Sequence, residues 1–392
     1  NACPDKKFHV TDACQGCLEN PCKEVCPKGA ISIQHGKSVI DQSKCVKCGR
    51  CKDVCPYGAI LKLERPCAKA CGMDAIGSDE HGRATINYDK CVSCGMCLVN
   101  CPFGAIADKG QIFQLIQSIK KGDRVIAIVA PAFLGQLGPD LTPEKFNSAM
   151  KQLGFDSVVE VAIGADLCTI EEAKDFMRSV PSEQPFMATS CCPSWSVMAK
   201  KLFPDLAPYI SMALTPMVLT ARLQKKEHKN CKVAFIGPCS AKKLEASRRT
   251  IRSDVDFVLT FEELMGMVVA KGVDFKSCEA NKPLLEATGA GRGFAVSGGV
   301  AQAVADAVKR LDPSREVKIA SAQGLQECKK MLMLAKAGKY NGYLLEGMGC
   351  PGGCVAGAGT LQPTAKSSAA IAKYKKDAEL QNALDSKYEI TL

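Results

Sequence analysis

No apolar run in this 392-residue chain approaches the roughly 18–20 residues that a bilayer-spanning helix needs. The longest, around Val125–Leu134, is broken by Pro131 and reads as a buried strand and its exit. No secretory leader is apparent from Asn1 onward, so a cytoplasmic location is the expectation. Arginine-rich tracts and interleaved aromatic and basic residues are missing too, which argues against nucleic-acid binding despite a formal net charge of +10. That charge counts all 24 cysteines as neutral. Thiolate ligation of an oxidised four-iron cluster leaves a net charge of about −2 per cube, so several clusters would cancel most of the excess. The composition, 46% hydrophobic and 23% charged, is that of a globular protein, and the length suggests two or three domains.

What the chain has in quantity is cysteine, unevenly placed. Fifteen of the 24 precede residue 102. This front part repeats: Cys26-Pro-Lys-Gly-Ala-Ile, Cys55-Pro-Tyr-Gly-Ala-Ile and Cys101-Pro-Phe-Gly-Ala-Ile close three units, and Cys71-Gly-Met-Asp-Ala-Ile closes a fourth without the proline. Cys45-x2-Cys48-x2-Cys51-x3-Cys55-Pro and Cys91-x2-Cys94-x2-Cys97-x3-Cys101-Pro match the bacterial ferredoxin run. In that pattern three close thiolates wrap one four-iron cube and the fourth, before proline, reaches the neighbouring cluster. Structural zinc prefers two CxxC pairs across a longer loop, and a disulfide framework belongs to smaller domains in oxidising compartments.

The looser run Cys14-x2-Cys17-x4-Cys22-x3-Cys26-Pro should pair with Cys45–Cys55. The exchange groups Cys14, Cys17, Cys22 and Cys55 at one cluster, and Cys45, Cys48, Cys51 and Cys26 at its partner. Cys91, Cys94 and Cys97 would take Cys71 as fourth ligand. Cys3, Cys67 and Cys101 remain, one ligand short of a fourth cluster, with His9 the spare candidate. Three or four [4Fe-4S] clusters are therefore expected in a small α+β ferredoxin-like domain at residues 1–117, able to act as an electron wire.

From about residue 118 apolar runs alternate with longer amphipathic segments, the pattern of an α/β domain. Strands are expected at Arg124–Ala130, Ser157–Ile163, Lys232–Ile236, Phe257–Thr260 and Lys318–Ala320, and helices at Glu171–Ser179, Phe261–Ala270 and Ala301–Arg310. A terminal helix with a solvated basic face is expected at 366–392. Three cysteine motifs stand out here. TSCCPSW (189–195) sets two thiols side by side; Ile236-Gly-Pro-Cys239-Ser-Ala-Lys242 follows a strand; the glycine-rich stretch Glu346–Thr360 carries Cys350 and Cys354. Neighbouring side chains of an extended chain point to opposite sides, so Cys191 and Cys192 cannot be equivalent ligands of one centre. Glycines in such motifs let backbone approach a bulky cofactor closely. Each motif alone would also suit a buried cysteine in a turn.

Together, TSCCPSW, GPCSAKKLEA and EGMGCPGGCVAGAGT resemble the three signature motifs of [FeFe]-hydrogenases, supported by VAPAF (129–133), GADLCTIEEA (164–173) and FAVSGGV (294–300). The similarity extends over essentially the whole chain, the front resembling the accessory-cluster domain of monomeric enzymes. The GPC form of the second motif is similar to a less-studied subgroup. The resemblance implies a catalytic α/β domain (118–392) of two lobes with the H-cluster in the cleft between them. This cofactor is a four-iron cube joined by a cysteine sulfur to a diiron unit bearing CO, CN and an azadithiolate bridge.

Carried over by motif, Cys192, Cys239, Cys350 and Cys354 hold the cube, with Cys354 bridging. Cys191 matches the thiol that exchanges protons with the bridgehead amine, and Glu172, Ser211 and Asp175 match the next members of the proton path. Glu172 and Asp175, three apart on an expected helix, should share a face. Lys242 matches a cyanide-binding residue, Pro131 and Ala132 line the same pocket, and Met348 and Thr215 complete it. The chain departs from the family at Gly237, where most members have methionine. Leu214, Thr215 and Met217 replace a more polar set, and Asp175 is shorter than the usual glutamate.

The reaction implied is reversible 2H⁺ + 2e⁻ ⇌ H₂, with ferredoxin or a similar small redox protein as electron partner and maturation proteins delivering the diiron unit. Two other classes compete. A hydrogen sensor would usually append a signalling domain, none of which is expected after Leu392. An iron–sulfur scaffold lacking the diiron unit would not need the relay thiol or the glycine-rich cradle.

Overall fold

The computed structural model describes residues 3–248, 253–280 and 286–388. Contacts divide the chain into two compact units, one of residues 1–91 and 100–105, the other of 92–99 and 106–392.

In the smaller unit β1 (Lys7–Val10) pairs antiparallel with β4 (Ile60–Leu63), β2 (Ile31–Gln34) with β3 (Lys37–Ile40), and β5 (Ile76–Ser78) with β6 (Ala84–Ile86). One-turn helices Pro21–Glu24, Arg50–Asp53 and Pro66–Lys69 each bury one cysteine: Cys22, Cys51 and Cys67. The apolar core comprises Phe8, Ile31 and Ile60 together with Cys22 and Cys51. A core this small is what a metal-stapled domain presents. Arg65, 3% exposed, ties the unit together by donating to the carbonyls of Cys3, Gly77 and Gly82 and to Ser78 Oγ.

The larger unit holds two parallel sheets. In the first, the order is β11 (Phe257–Thr260), β10 (Lys232–Gly237), β7 (Val125–Val129) and β8 (Ser157–Glu160). In the second, β12 (Lys318–Gln323) and β9 (Met187–Ala188) flank β13 (Tyr343–Met348). Every residue of β7 is buried, as expected of a strand covered on both faces. Val125, Ala127 and Val129 join one apolar cluster with Ala234 and Ile236. Ile126 and Ile128 join another with Val233 and Phe235, so the period of two sorts the strand between two cores.

Two sheets, each with its own helices, make the two-lobed α/β domain that was expected. Several boundaries differ. The strand expected at Ser157–Ile163 ends at Glu160, and the apolar residues after it open an 18-residue helix, Ala162–Ser179, of which the expected Glu171–Ser179 is only the second half. Its first eight residues are all buried, so no amphipathic period betrays them as helix. Gly164 sits there because an added Cβ would lie 2.2 Å from the Pro216 carbonyl oxygen. The strands Met187–Ala188 and Tyr343–Met348 were not expected, the second because Glu346 and Gly347 interrupt its apolar run. The terminal helix runs only Thr364–Lys376, burying Ser367, Ile371 and Tyr374; residues 389–392 lie outside the described residues. The boundary expected at 117/118 falls inside helix Ile112–Lys120 of the larger unit.

Gly347 shows how tightly the second lobe is packed. An added Cβ would lie 2.1 Å from the ring of Trp195, which is fully buried and donates its indole N–H to the Thr189 carbonyl at 3.0 Å. Gly347→Ala should cost about 1–3 kcal/mol through overpacking. Because Trp195 is the only tryptophan, urea unfolding followed by its fluorescence measures this directly.

Candidate functional site

In open parallel sheets, ligands bind beyond the carboxyl ends of the strands. All the motifs lie there. Pro131 follows β7, Cys191 and Cys192 follow β9, Cys239 follows β10, and Cys350 and Cys354 follow β13. The residues converge on a cavity of about 80 Å³ walled by Pro131, Ala132, Cys191, Cys192, Cys239, Lys242, Met348 and Cys354. Both lobes contribute. Thr215, expected in this wall, is not part of it; the neighbouring Pro216 and Met217 are, and the buried Thr215 Oγ1 has no hydrogen-bond partner.

Four thiols form an electrostatic group. Burial pushes Cys239 up to about 11, with the Cys192 thiolate adding to it; burial raises Cys350 further, with Cys239, Cys192 and Cys354 as neighbours; Cys354 is raised by burial and then by Cys239 and Cys192. Such thiols ionise only when a cation is bound among them. Among the described residues no three His, Cys, Asp or Glu side chains close around a single metal ion. The cradle suits a bulkier guest. Gly349 donates its N–H to Cys192 Sγ at 3.3 Å, and Gly353 adopts φ +91° where an added Cβ would meet the Ser297 nitrogen at 2.6 Å. Ser240 Oγ, next to Cys239, is buried without a partner among the described residues. An all-thiolate donor set, a backbone N–H aimed at sulfur and an orphan hydroxyl fit an iron–sulfur cube.

Cys191 stands apart from this set in its surroundings, with Glu172 as its foremost charged neighbour. Burial raises its thiol well above the ordinary value, and the nearby Glu172 carboxylate adds to the shift, so the proton stays on Sγ. Glu172 is fully buried and pushed up to about 7, chiefly by burial. Its Oε1 accepts the Ser190 N–H at 3.2 Å, the nearby Ser211 hydroxyl favours its charged form, and Oε2 has no hydrogen-bond partner among the described residues. Cys191, Glu172 and Ser211 are thus brought together. Asp175 is not placed with them. It is partly exposed and bonded to Arg178 Nη2 at 2.7 Å, so the face-sharing expected for Glu172 and Asp175 resolves into one buried and one surface carboxylate.

Lys242 donates to the Cys191 carbonyl at 3.3 Å and pairs with buried Glu245 at 2.6 Å. Burial disfavours its charge, but the Glu245 carboxylate, with Cys239 and Cys191 adding to it, outweighs this and leaves the ammonium above its ordinary value. Glu245 lies in the second motif but was given no role there, although its three-residue spacing from Lys242 was a usable signal. Glu346, the first residue of the third motif, was also missed. Its carboxylate accepts the N–H groups of Gly298 (2.6 Å) and Ala301 (2.8 Å), capping helix Gly299–Leu311. No local spacing could announce a cap from a strand about 45 residues away.

In the smaller unit, one cavity is lined by Cys14, Cys17, Cys22 and Cys55 and another by Cys26, Cys45, Cys48 and Cys51, the two groups that the exchange rule formed. The repeats also reproduce a contact: Ala30, Ala75 and Ala105 each donate an N–H to the sulfur four residues earlier, Cys26, Cys71 and Cys101, at 3.3 Å. Ser38 N–H to Cys14 Sγ lowers that thiol. Cys67 is raised by burial and by Cys101. Cys3 lies beside the Cys67 helix through its carbonyl, which accepts from Arg65 Nε. His9 faces solvent on β1 and lines neither thiol cavity. The Cys91–Cys101 run is divided: Cys94 and Cys97 belong to the larger unit, Cys91 and Cys101 to the smaller. Within the larger unit, Cys94 acts electrostatically on Cys350, and Gly95 packs on Ala358 and Ser240, where an added Cβ would clash.

Two parallel lobes around a thiolate-lined apolar cavity, with ferredoxin-type cysteine runs ahead of them, define a class of hydrogenase-like iron–sulfur protein. Residues 123–358 match the family described as iron only hydrogenase large subunit, C-terminal domain, and residues 38–61 and 83–106 match 4Fe-4S binding domains; the chain belongs to the iron-only hydrogenase family. It is 30% identical to iron hydrogenase 1 of Clostridium pasteurianum over 60% of this chain and 50% of that one. To the periplasmic [Fe] hydrogenase large subunit of Nitratidesulfovibrio vulgaris it is 31% identical over 60% and 68%. The chain therefore spans between half and about two thirds of these relatives. The cytosolic Fe-S cluster assembly factor narfl of Danio rerio is 25% identical over 59% and 69%. The fold is shared with HydA1 [FeFe]-hydrogenase from Chlamydomonas reinhardtii (variant E144A), with TM-score 0.58 and 23% identity over 71% of this chain and 92% of that. No helix among the described residues is long and apolar enough to cross a membrane.

The buried carboxyls give a pH signature. Asp166 is pushed by burial up to about 7, as is Glu172, against ordinary values of 3.8 and 4.5. The folded protein keeps these protons when the unfolded chain has released them. Stability is therefore full below the unfolded values and falls as pH rises toward about 7. Glu172→Gln should remove part of that fall. Urea midpoints of both proteins, taken from about pH 5 to about pH 8, check the sign.

Proposed function

We propose that this protein catalyses 2H⁺ + 2e⁻ ⇌ H₂. The observation that carries the reading is Cys191: a thiol in the cavity wall that burial keeps protonated, backed by Glu172 and Ser211 and adjacent in the chain to Cys192, which lines the same cavity. In this reading Cys192, Cys239, Cys350 and Cys354 would hold the cube, and the same cavity would take up the diiron unit. That group would supply the redox-active metal site where protons and electrons combine. The chain's own residues do the rest. Cys191 holds a proton at Sγ. Glu172, with a carboxyl near 7, can take and return protons at neutral pH, and Ser211 orients it. Lys242, kept charged by Glu245, offers a cation to an anionic ligand at the cavity wall. The apolar walls exclude water.

Electrons would come through the N-terminal clusters from ferredoxin or a similar small carrier. Cys48 is the one exposed thiol among the cysteines, and Lys47, Arg50 and Lys52 beside it are exposed, which suits an acidic partner. Maturation proteins would deliver the diiron unit. Protein matured with that unit should evolve or oxidise H₂ and show infrared bands of CO and CN; absence of both sinks the proposal. The assembly-factor relatives support a second reading, a cluster scaffold without the diiron unit. Iron–sulfur clusters without CO and CN bands, after maturation that loads a known hydrogenase, would favour it.

A further inference from the structure

We infer that Phe235 is a specificity-determining wall residue, whose ring fixes the free volume beside the reacting centre and thereby decides which small gas molecules reach it. This rests on the hydrogenase reading of the cavity.

The argument begins with strand period. Phe235 and Gly237 are two apart on β10, so they project from the same face. Phe235 packs there in the apolar cluster that contains Ile128, Ala130 and Met217. It is 3% exposed and part of the cavity wall. At Gly237 an added Cβ would lie 2.6 Å from both Cε1 and Cζ of the Phe235 ring and 3.1 Å from Ala130 Cβ. The ring edge therefore occupies the space above Gly237 that any side chain there would claim. Gly237 is a requirement of the ring's position, and the two residues act as one device. Its partners Ala130 and Met217 also wall the cavity, so the ring stands between the core of the first lobe and the open space.

An aromatic ring held on one side by the core is a stiff wall. Its removal leaves an apolar void, because surroundings relax only partly around a deleted side chain. Voids lined by such side chains stay dry and take up xenon or benzene. Widening the space beside the reacting centre should admit diatomics bulkier than hydrogen more readily.

The test has two arms. In the full chain carrying its iron–sulfur clusters but not the diiron unit, Phe235→Ala should bind xenon at this position and wild type should not, read in crystals under xenon pressure. In matured protein, carbon monoxide should inhibit Phe235→Ala with an association rate raised about tenfold, a change equivalent to about 1.4 kcal/mol in barrier. Gly237→Met should push the ring into the cavity and slow the same step, and Phe235→Ala with Gly237→Met should return it toward wild type. Phe235→Leu serves if the alanine variant does not fold. No xenon in either truncation, or xenon with an unchanged carbon monoxide rate, overturns the inference. Xenon uptake without H₂ turnover in any matured variant, wild type included, instead defeats the functional reading on which the gating role depends.

Discussion

Replacing Cys191 by alanine is expected to lower H₂ turnover by about 10²–10⁴-fold, the range for losing a positioned proton-transfer group. The cube should still assemble, so iron content and cluster spectra should match wild type. The expectation follows from burial and charge environment together. Cys192 accepts an N–H from Gly349 and shares its charge environment with Cys239, Cys350 and Cys354. Cys191 has Glu172 as its foremost charged neighbour, and its thiol is buried and neutral. Glu172→Gln should reduce turnover as well, because its carboxyl near 7 is the next group able to exchange a proton. Loss of the cube in Cys191→Ala, with retained turnover in Cys192→Ala, would mean the two roles are exchanged.

Arg292→Met is expected to destabilise the larger unit by about 3–5 kcal/mol. Arg292 is 1% exposed, donates through Nη2 and Nε to the two carboxylate oxygens of Glu160 at 2.8 and 3.1 Å, and lies 3.8 Å over the Tyr374 ring. Its Nη1 also reaches the Tyr374 carbonyl at 3.3 Å. Methionine would keep much of the volume but take the cation from the Glu160 carboxylate, leaving it the Tyr374 hydroxyl; burial already raises this carboxyl despite the guanidinium. Pairing Arg292→Met with Glu160→Leu should recover much of the loss, since an apolar pair replaces a buried ion pair at little net cost. Urea midpoints of the two single variants and the double variant decide it. Additive losses would show that the pair contributes nothing beyond its separate side chains.

The readable part of this protein is what lies close in sequence. Cysteine spacing assigned Cys14, Cys17, Cys22 and Cys55 to one group, and Cys26, Cys45, Cys48 and Cys51 to another, and each group lines one cavity. Alternation along an extended segment was expected to send Cys191 and Cys192 to opposite sides; the structure has a bend at Cys191, and both residues line the same cavity. β7, β10 and β11 were legible because their apolar runs end at turn residues. The first half of helix Ala162–Ser179 was not, because burial on every side erases its period.

By itself, then, the sequence determined the thiol inventory and the α/β class. Only the tertiary structure decided which charges sit in the dark: Glu346 capping helix Gly299–Leu311, Glu160 paired with Arg292 across 132 residues, Asp175 left at the surface while Glu172 is buried. It also decided that the ring of Phe235 occupies the space over Gly237. The reason is physical. Ligand spacing and strand period are short-range constraints fixed by backbone geometry, whereas burial and long-range pairing arise only when parallel strands distant in the chain are brought side by side.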